Sequence, residues 1–437
     1  MLQQQQNIGS HQSVFKVEES LSKRYPYKEI PFSDRPQNQA NDSFGYLGLK
    51  RNIDLLRDPS FPNEEKIKSL KLINNSLTNP DLKSRALNQF NIMDSFRHLF
   101  DPTFQNSITT VSHRILLNEW ACKIIQSLAS ISTFKLTMKP IIYDLIIIVT
   151  GDVMKGSSAK MKHTTHYRDK IAAAMALHQF SMCHEGCRVL MSYDEERQDY
   201  NKVVDTLIYT IQNTTSESLS EWCIKTVSNL CEMNPTARDV ASSLNVVTTI
   251  GNVLEMFEIY PVSLISNACM LSWNVALDGE GKKYSKELVP KLGRVVSFAV
   301  KHISNVDIEH LSENMSAVEE LLNCVQYASG AMSSILVFED SKTFTLNNVT
   351  AADSKDPPQT SVEILSKCLA DIKDRSSVLH RIAFDYFPSY GPDIERNILS
   401  SIKFSSELPK ARDAFSKELK AKSLFEFVYK DESHLFY

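Results

Sequence analysis

An all-α solenoid, a stack of short helices repeated along the chain, is the fold class this 437-residue sequence predicts. Two observations carry the expectation. Glycine is scarce, twelve in 437 residues, against roughly 7% in average proteins. Sheets with tight turns and loops that cradle cofactors need glycine, whereas helix interiors exclude it. The second observation is a helical pattern of apolar residues that recurs about every fifty residues, each time closed by a polar break.

Composition narrows the function classes. Hydrophobic residues make up 42% and charged residues 23%, enough apolar side chain for a sizeable core. A net charge of −4 supplies no basic field toward nucleic acid or acidic membrane, so neither partner is expected. The eight cysteines fall mostly inside apolar helical segments such as "EWCIKTVSNLC" and "NACMLSW", a pattern that suits reduced, buried thiols in a cytosolic compartment. The opening "MLQQQQNIGSHQS" lacks the charged and apolar regions of a signal peptide. The best apolar run, Ile141–Val149, spans nine residues and is interrupted by Asp144, too short to cross a membrane.

Taken in order, residues 1–43 are polar and dotted with Pro26, Pro31 and Pro36, and read as an extended or disordered arm. Repeats then run over 44–340. "LINNSLTNPDLKSRALNQFNIMDSFRHLF" (72–100) and "TVSNLCEMNPTARDVASSLNVVTTIGNVL" (226–254) share one layout. An apolar helix ends at an Asn-Pro break (Asn79-Pro80, Asn234-Pro235), a second helix follows, then an apolar third segment. "MLSWNVALDGEGKKYSKELVPKLGRVVSF" (270–298) repeats the scheme with glycine in the break. Using the polar residue before each break as a marker gives Asn74, Ser127, Gln179, Asn229, Asn274 and Asn323, spaced 53, 52, 50, 45 and 49 residues apart. Armadillo and HEAT units are about 40–47 residues, so the spacing fits that class with modest loop insertions. One such unit cannot bury its own apolar faces; stacking builds a continuous core.

"DLIIIVTGDVMKGSS" (144–158) imitates a strand feeding a phosphate loop. A phosphate loop needs Gly-x4-Gly-Lys-Ser/Thr, with the lysine reaching the phosphates. Here Ser157 stands in that place, and Lys155 precedes Gly156. Ile141–Val149 also occupies the slot filled by "NVVTTIGNVL" and "ELVPKLGRVV", so it is expected to be a helix, followed by an inter-repeat loop. No nucleotide or other cofactor is expected. Cys183-His184-Glu185-Gly186-Cys187 has one knuckle where structural zinc needs two, and "DGEGKK" (278–283) falls on a repeat break. No nucleophile–base arrangement assembles from the sequence, so neither an enzyme nor a small-molecule substrate is expected. Residues 341–362 are polar with Pro357-Pro358 and read as a linker. Helical periodicity resumes over 363–437 and ends in an aromatic tail, with Phe425, Phe427, Tyr429 and Phe436, either a docking helix or a partner-binding segment.

Residues 44–102, with Gly45-Tyr46, Leu55, Lys71, Pro80, Ala86, Met93, Leu99 and Asp101, resemble the opening of the radial spoke head protein 14 homologue family, and "SNACMLSWNVALDGEGKKYSKELVPKL" is similar to one of its later repeats. Ile92 stands where that family has glycine, and the arm and the region after 340 look like additions. The resemblance implies an armadillo-class, non-catalytic scaffold of the ciliary axoneme whose partners are other radial spoke proteins. In armadillo arrays the third helices line a concave groove, where Asn and Trp side chains meet extended partners. Asn229, Asn274, Trp222 and Trp273 hold the matching places and are the candidate contacts. A soluble adaptor that binds extended peptides is the alternative reading.

Overall fold

The computed structural model describes residues 45–151, 167–191, 202–277, 279–347, 349 and 359–419. The N-terminal arm, the loop carrying Lys155, Gly156 and Ser157, most of the polar linker, and the tail with Phe425, Phe427, Tyr429 and Phe436 lie outside the described residues.

Helices α1 (Tyr46–Arg57) and α2 (Asn63–Ser76) open the chain. A three-part cycle follows: a short first helix, a second helix, and a long third helix. The first full cycle is α3 (Pro80–Asn88), α4 (Ile92–Phe100), a single turn α5 (Pro102–Ser107), and α6 (Val111–Ala129). In the next, two 3-10 turns replace the first helix, before α7 (Ile142–Thr150) and α8 (Arg168–Ser181). Then come α9 (His184–Leu190), α10 (Lys202–Asn213) and α11 (Glu217–Met233). They are followed by α12 (Pro235–Ser243), α13 (Val246–Glu255) and α14 (Val262–Val275). The cycle continues with α15 (Gly279–Ser285), α16 (Leu288–Ser304) and α17 (Leu311–Ile335). Past the polar stretch come α18 (Glu339–Lys342), α19 (Ser361–Lys373), α20 (Val378–His380), α21 (Tyr390–Ser405) and α22 (Pro409–Glu418).

Third helices stack in order, α2 on α6, α8, α11, α14, α17 and α21, and second helices form a parallel ladder, α7 on α10, α13, α16 and α19. One apolar cluster runs from Leu49 to Phe415 between the ladders. Each unit therefore buries its face against its neighbours, as the repeat spacing predicts. Among the described residues no helix is long and apolar enough to cross a membrane.

The breaks work as local chemistry. Asn79 and Asn234 are helix caps whose side chains accept from the N–H groups of Asp81 and Thr236, at 2.9 Å each. The following proline occupies the first helical position, where a missing N–H costs nothing. Asp101 before Pro102 repeats the device on Thr103. Asn91 and Asn245 turn the first helix into the second with left-handed φ of 47° and 55°, a conformation asparagine tolerates better than most residues. The apolar run that imitates a strand is α7, with Ile142, Leu145, Ile146 and Val149 buried. It ends on Gly151, at φ 67°.

Candidate functional site

The third-helix ladder carries the candidate site, and its register is set by ties between repeats. A helix leaves its last carbonyls without intrahelical partners and carries partial negative charge there. Lys83 of α3 donates to the Ser127 carbonyl near the end of α6 at 2.9 Å. One unit later, Lys135 donates to the Gln179 and Phe180 carbonyls at the end of α8, at 2.8 and 3.0 Å. In the third copy Cys187 of α9 donates to the Ser181 carbonyl at 3.2 Å and has the Asn229 carbonyl 4.0 Å from its sulfur. The three ties span 44, 44 and 42 residues. The marker positions of the sequence are thus the places where one repeat caps the next.

Lys135 is 2% exposed and also donates to Cys183 Sγ at 3.2 Å. Burial works to raise the Cys183 pKa, but N–H groups of Gly186 and Glu185 and the Lys135 ammonium outweigh it and hold the thiol below its ordinary value. The other seven cysteines are buried. Burial, reinforced by Asp371, pushes the Cys368 thiol up to about 12. Among the described residues no group of three or more His, Cys, Asp or Glu side chains is placed to hold a metal ion.

The asparagines make ties too. Asn229 donates to Ser181 Oγ at 3.0 Å, across the α8–α11 joint. Asn274, 7% exposed, donates to the Ser228 carbonyl at 3.1 Å and to Ser228 Oγ at 3.0 Å, across the α11–α14 joint. Asn323 does not continue the marker series. It sits twelve residues before the end of α17 and accepts from the Tyr390 hydroxyl at 3.0 Å. A fixed increment lands too early there because α16 and the turn after it are long.

Tryptophan occupies equivalent places in α6 and α11, seven residues before Ser127 and Asn229. The local sequence is the same in both, Glu-Trp-x-x-Lys: Glu119-Trp120-Ala121-Cys122-Lys123 and Glu221-Trp222-Cys223-Ile224-Lys225. The i,i+4 pairs close at 2.7 Å (Lys123–Glu119) and 2.8 Å (Lys225–Glu221). Each ammonium then lies over the indole of its own motif, Lys123 4.4 Å from Trp120 and Lys225 4.6 Å from Trp222, a favourable electrostatic contact. His178 packs edge-on to Trp222, ring centroids 5.1 Å apart. Burial, then Lys225 and Lys135, lower its pKa to about 4. Trp273 faces Tyr327 at 6.3 Å and lies on Gly330, where an added Cβ would come within 2.8 Å of the indole. Trp120, Trp222, Trp273 and Tyr327 are all half-buried, each packed against the core yet reaching the surface. The sequence offers Trp120, Trp222 and Trp273 alike as core residues of the repeats and marks only the last two as contacts; the recurrence of Glu-Trp-x-x-Lys two repeats apart was the available signal for Trp120 and the paired Glu and Lys.

Charge is not even along the ladder. Lys71, Lys123 and Arg168 gather around Trp120. Helix α14 carries no charged residue, and α17 carries Glu313, Glu319 and Glu320 with no lysine or arginine. Glu320 accepts from Ser266 at 2.8 Å and Glu319 from the Tyr390 hydroxyl at 3.3 Å. Burial, reinforced by Glu319, raises the Tyr390 phenol to about 12.

No known family model matches the chain, and no curated protein matches it. Solved structures do. A chain from work on a phosphorylation switch that controls the interaction between cadherin and beta-catenin aligns with a TM-score of 0.58 at 13% identity. That alignment covers 88% of this chain and 66% of the other, just under two thirds of its length. A designed armadillo repeat protein in complex with the peptide (KR)4 aligns at 0.46 and 12% identity, over 66% of this chain and 99% of that one. At 13% identity the first alignment is likeness of fold, and together with the paired helix ladders it defines the class: an all-α, armadillo-type repeat solenoid.

Proposed function

We infer that the protein is a non-catalytic scaffold that holds an extended segment of a partner protein along its third-helix ladder, and that its setting is the radial spoke of motile cilia. The observation that carries the grip is the recurrence of half-buried aromatics on the third helices, Trp120, Trp222, Trp273 and Tyr327, each fixed by a neighbouring side chain. Partly exposed, rigid aromatics are the side chains that interfaces favour as anchors, and a solenoid offers them in a line rather than a pocket. The setting is supported by the resemblance of residues 44–102 to the radial spoke family. The soluble-adaptor reading shares the same grip and differs in where the protein resides.

Fractionation of motile cilia tests the setting. The protein is expected to stay with the axoneme through detergent extraction and to leave with spoke components at higher salt. Complete release into the detergent-soluble fraction would refute the spoke and leave the adaptor. Trp120→Ala plus Trp222→Ala is expected to weaken partner retention while the helical spectrum is kept, and unchanged retention would refute the grip.

A further inference from the structure

We propose that the N-terminal third of the ladder, centred on Trp120, seats an acidic stretch of the bound polypeptide; this rests on the grip inferred above and specifies its chemistry. Three cations converge there. Lys123 Nζ lies 4.4 Å and Lys71 Nζ 5.6 Å from the Trp120 ring centre. Arg168, on the next third helix, places Nε 3.1 Å from Glu119 Oε2 and a guanidinium nitrogen 3.2 Å from Oε1. Two carboxyls answer them. Glu119 is only 4% exposed at its side chain and faces both Lys123 and Arg168. Asp169 is turned inward onto Asn118 and its neighbour's N–H, with burial raising its pKa. At the start of α2, Glu65 is paired with Lys68 at 2.5 Å, and Glu64 lies 3.8 Å from His113 Nε2.

The cations outnumber the carboxyls, and they are the accessible members of the cluster: Arg168 is 64% and Lys123 36% exposed at the side chain, and Lys71 is exposed on α2. Of the carboxyls, Glu119 is buried and Asp169 half-buried. A ligand approaching Trp120 therefore meets ammonium and guanidinium first. An incoming lysine would meet like charge over an indole already covered by Lys123, whereas a carboxylate would complete the free N–H donors in charge-assisted hydrogen bonds. Further along the ladder α14 carries no charged residue and α17 presents glutamates and no base, so the two helices that bear Trp273 and Tyr327 offer no such seat.

The test uses the full chain and two fluorescein-labelled extended peptides, (Glu-Ser)6 and (Lys-Ser)6, read by anisotropy at two salt concentrations. The acidic peptide is expected to bind, to weaken at least about tenfold on Lys71→Glu, and to lose affinity as salt rises. Lys71 is exposed and lies outside the Glu119 cluster, so the variant keeps the fold; a helical spectrum verifies this. Lys286→Glu, in the turn before α16 and away from Trp120, is the control and is expected to leave binding unchanged. If only the basic peptide binds and Trp222→Ala weakens it, the grip stands and the acidic seat is overturned. Acidic-peptide binding that Lys71→Glu does not change, or that a single-stranded oligonucleotide matches in affinity, also overturns the seat. If neither peptide binds, the seat falls, and if a random peptide library also yields no binder the grip falls with it.

Discussion

Asn274→Ala should destabilise the protein by about 2–3 kcal/mol, and Asn229→Ala by no more than about 1 kcal/mol, although the two asparagines hold the same place in successive repeats. The difference follows from burial and bonding. Asn274 is almost wholly buried and makes two hydrogen bonds to Ser228, at 3.1 and 3.0 Å. Each is worth about 1 kcal/mol net, with a further penalty for a buried group left unpaired. Asn229 makes one comparable bond, to Ser181 Oγ at 3.0 Å, at a half-exposed position where water can replace it. In a solenoid the loss falls on a single joint, α11 on α14, so unfolding should also become less cooperative. Urea unfolding followed by far-UV circular dichroism gives both quantities. If Asn274→Ala costs less than about 0.5 kcal/mol, or if Asn229→Ala costs more than Asn274→Ala does, Asn274 is not a brace between repeats and the bonding above is misassigned.

Three further outcomes follow from the same structure. Gly330→Ala gains about 1 kcal/mol of helix propensity but forces the Trp273 ring from a 2.8 Å contact, an overpacking cost of about 1–3 kcal/mol; a net loss with a red-shifted Trp273 emission is expected, and a net gain would show that the indole moves freely. His178 has its pKa lowered to about 4 by burial first and by Lys225 and Lys135 after it, so the unfolded chain binds the proton more readily. Stability should then be full above the ordinary histidine value, about 6.5, and fall as pH drops from there toward about 4; His178→Gln should flatten that slope, and an unchanged slope would mean the ring is hydrated. Iodoacetamide should alkylate Cys183 ahead of the other seven cysteines, because it alone is not buried and its thiol pKa is lowered; mass spectrometry that finds Lys135→Met without effect on the rate would remove the ammonium from that explanation.

The solenoid is legible in the sequence because its causes are local and periodic. Asn-Pro at 79–80 and 234–235 signals a cap and a first helical turn from the dipeptide alone, and glycine scarcity follows from helices with short breaks. The α7 helix was separable from a phosphate loop because Ser157 stands where a lysine is required. The ties between repeats were not legible. Lys83 and Lys135 read as ordinary charged residues until the fold brings them to carbonyls 44 residues away, although their mutual spacing of 52 equals one repeat. Asn274 looked like a groove residue because residue type and register cannot distinguish a side chain that faces outward from one turned into the joint. Asn323 was placed by increment, and a longer α16 moved the true position two to three turns onward. Trp120 escaped because its repeat has serine, not asparagine, at the marker.

Carbene footprinting of the full chain, with and without a bound peptide selected from a random displayed library, tests the central claim of a grip along the third-helix ladder. Masking is expected at Trp120 and Lys123 on α6, Trp222 and Lys225 on α11, Trp273 on α14 and Tyr327 on α17, while the exposed Tyr209 and Tyr284 on other helices label as before. Masking of Tyr209 or Tyr284 with the Trp120–Tyr327 row left open would place the binding surface elsewhere and contradict the claim.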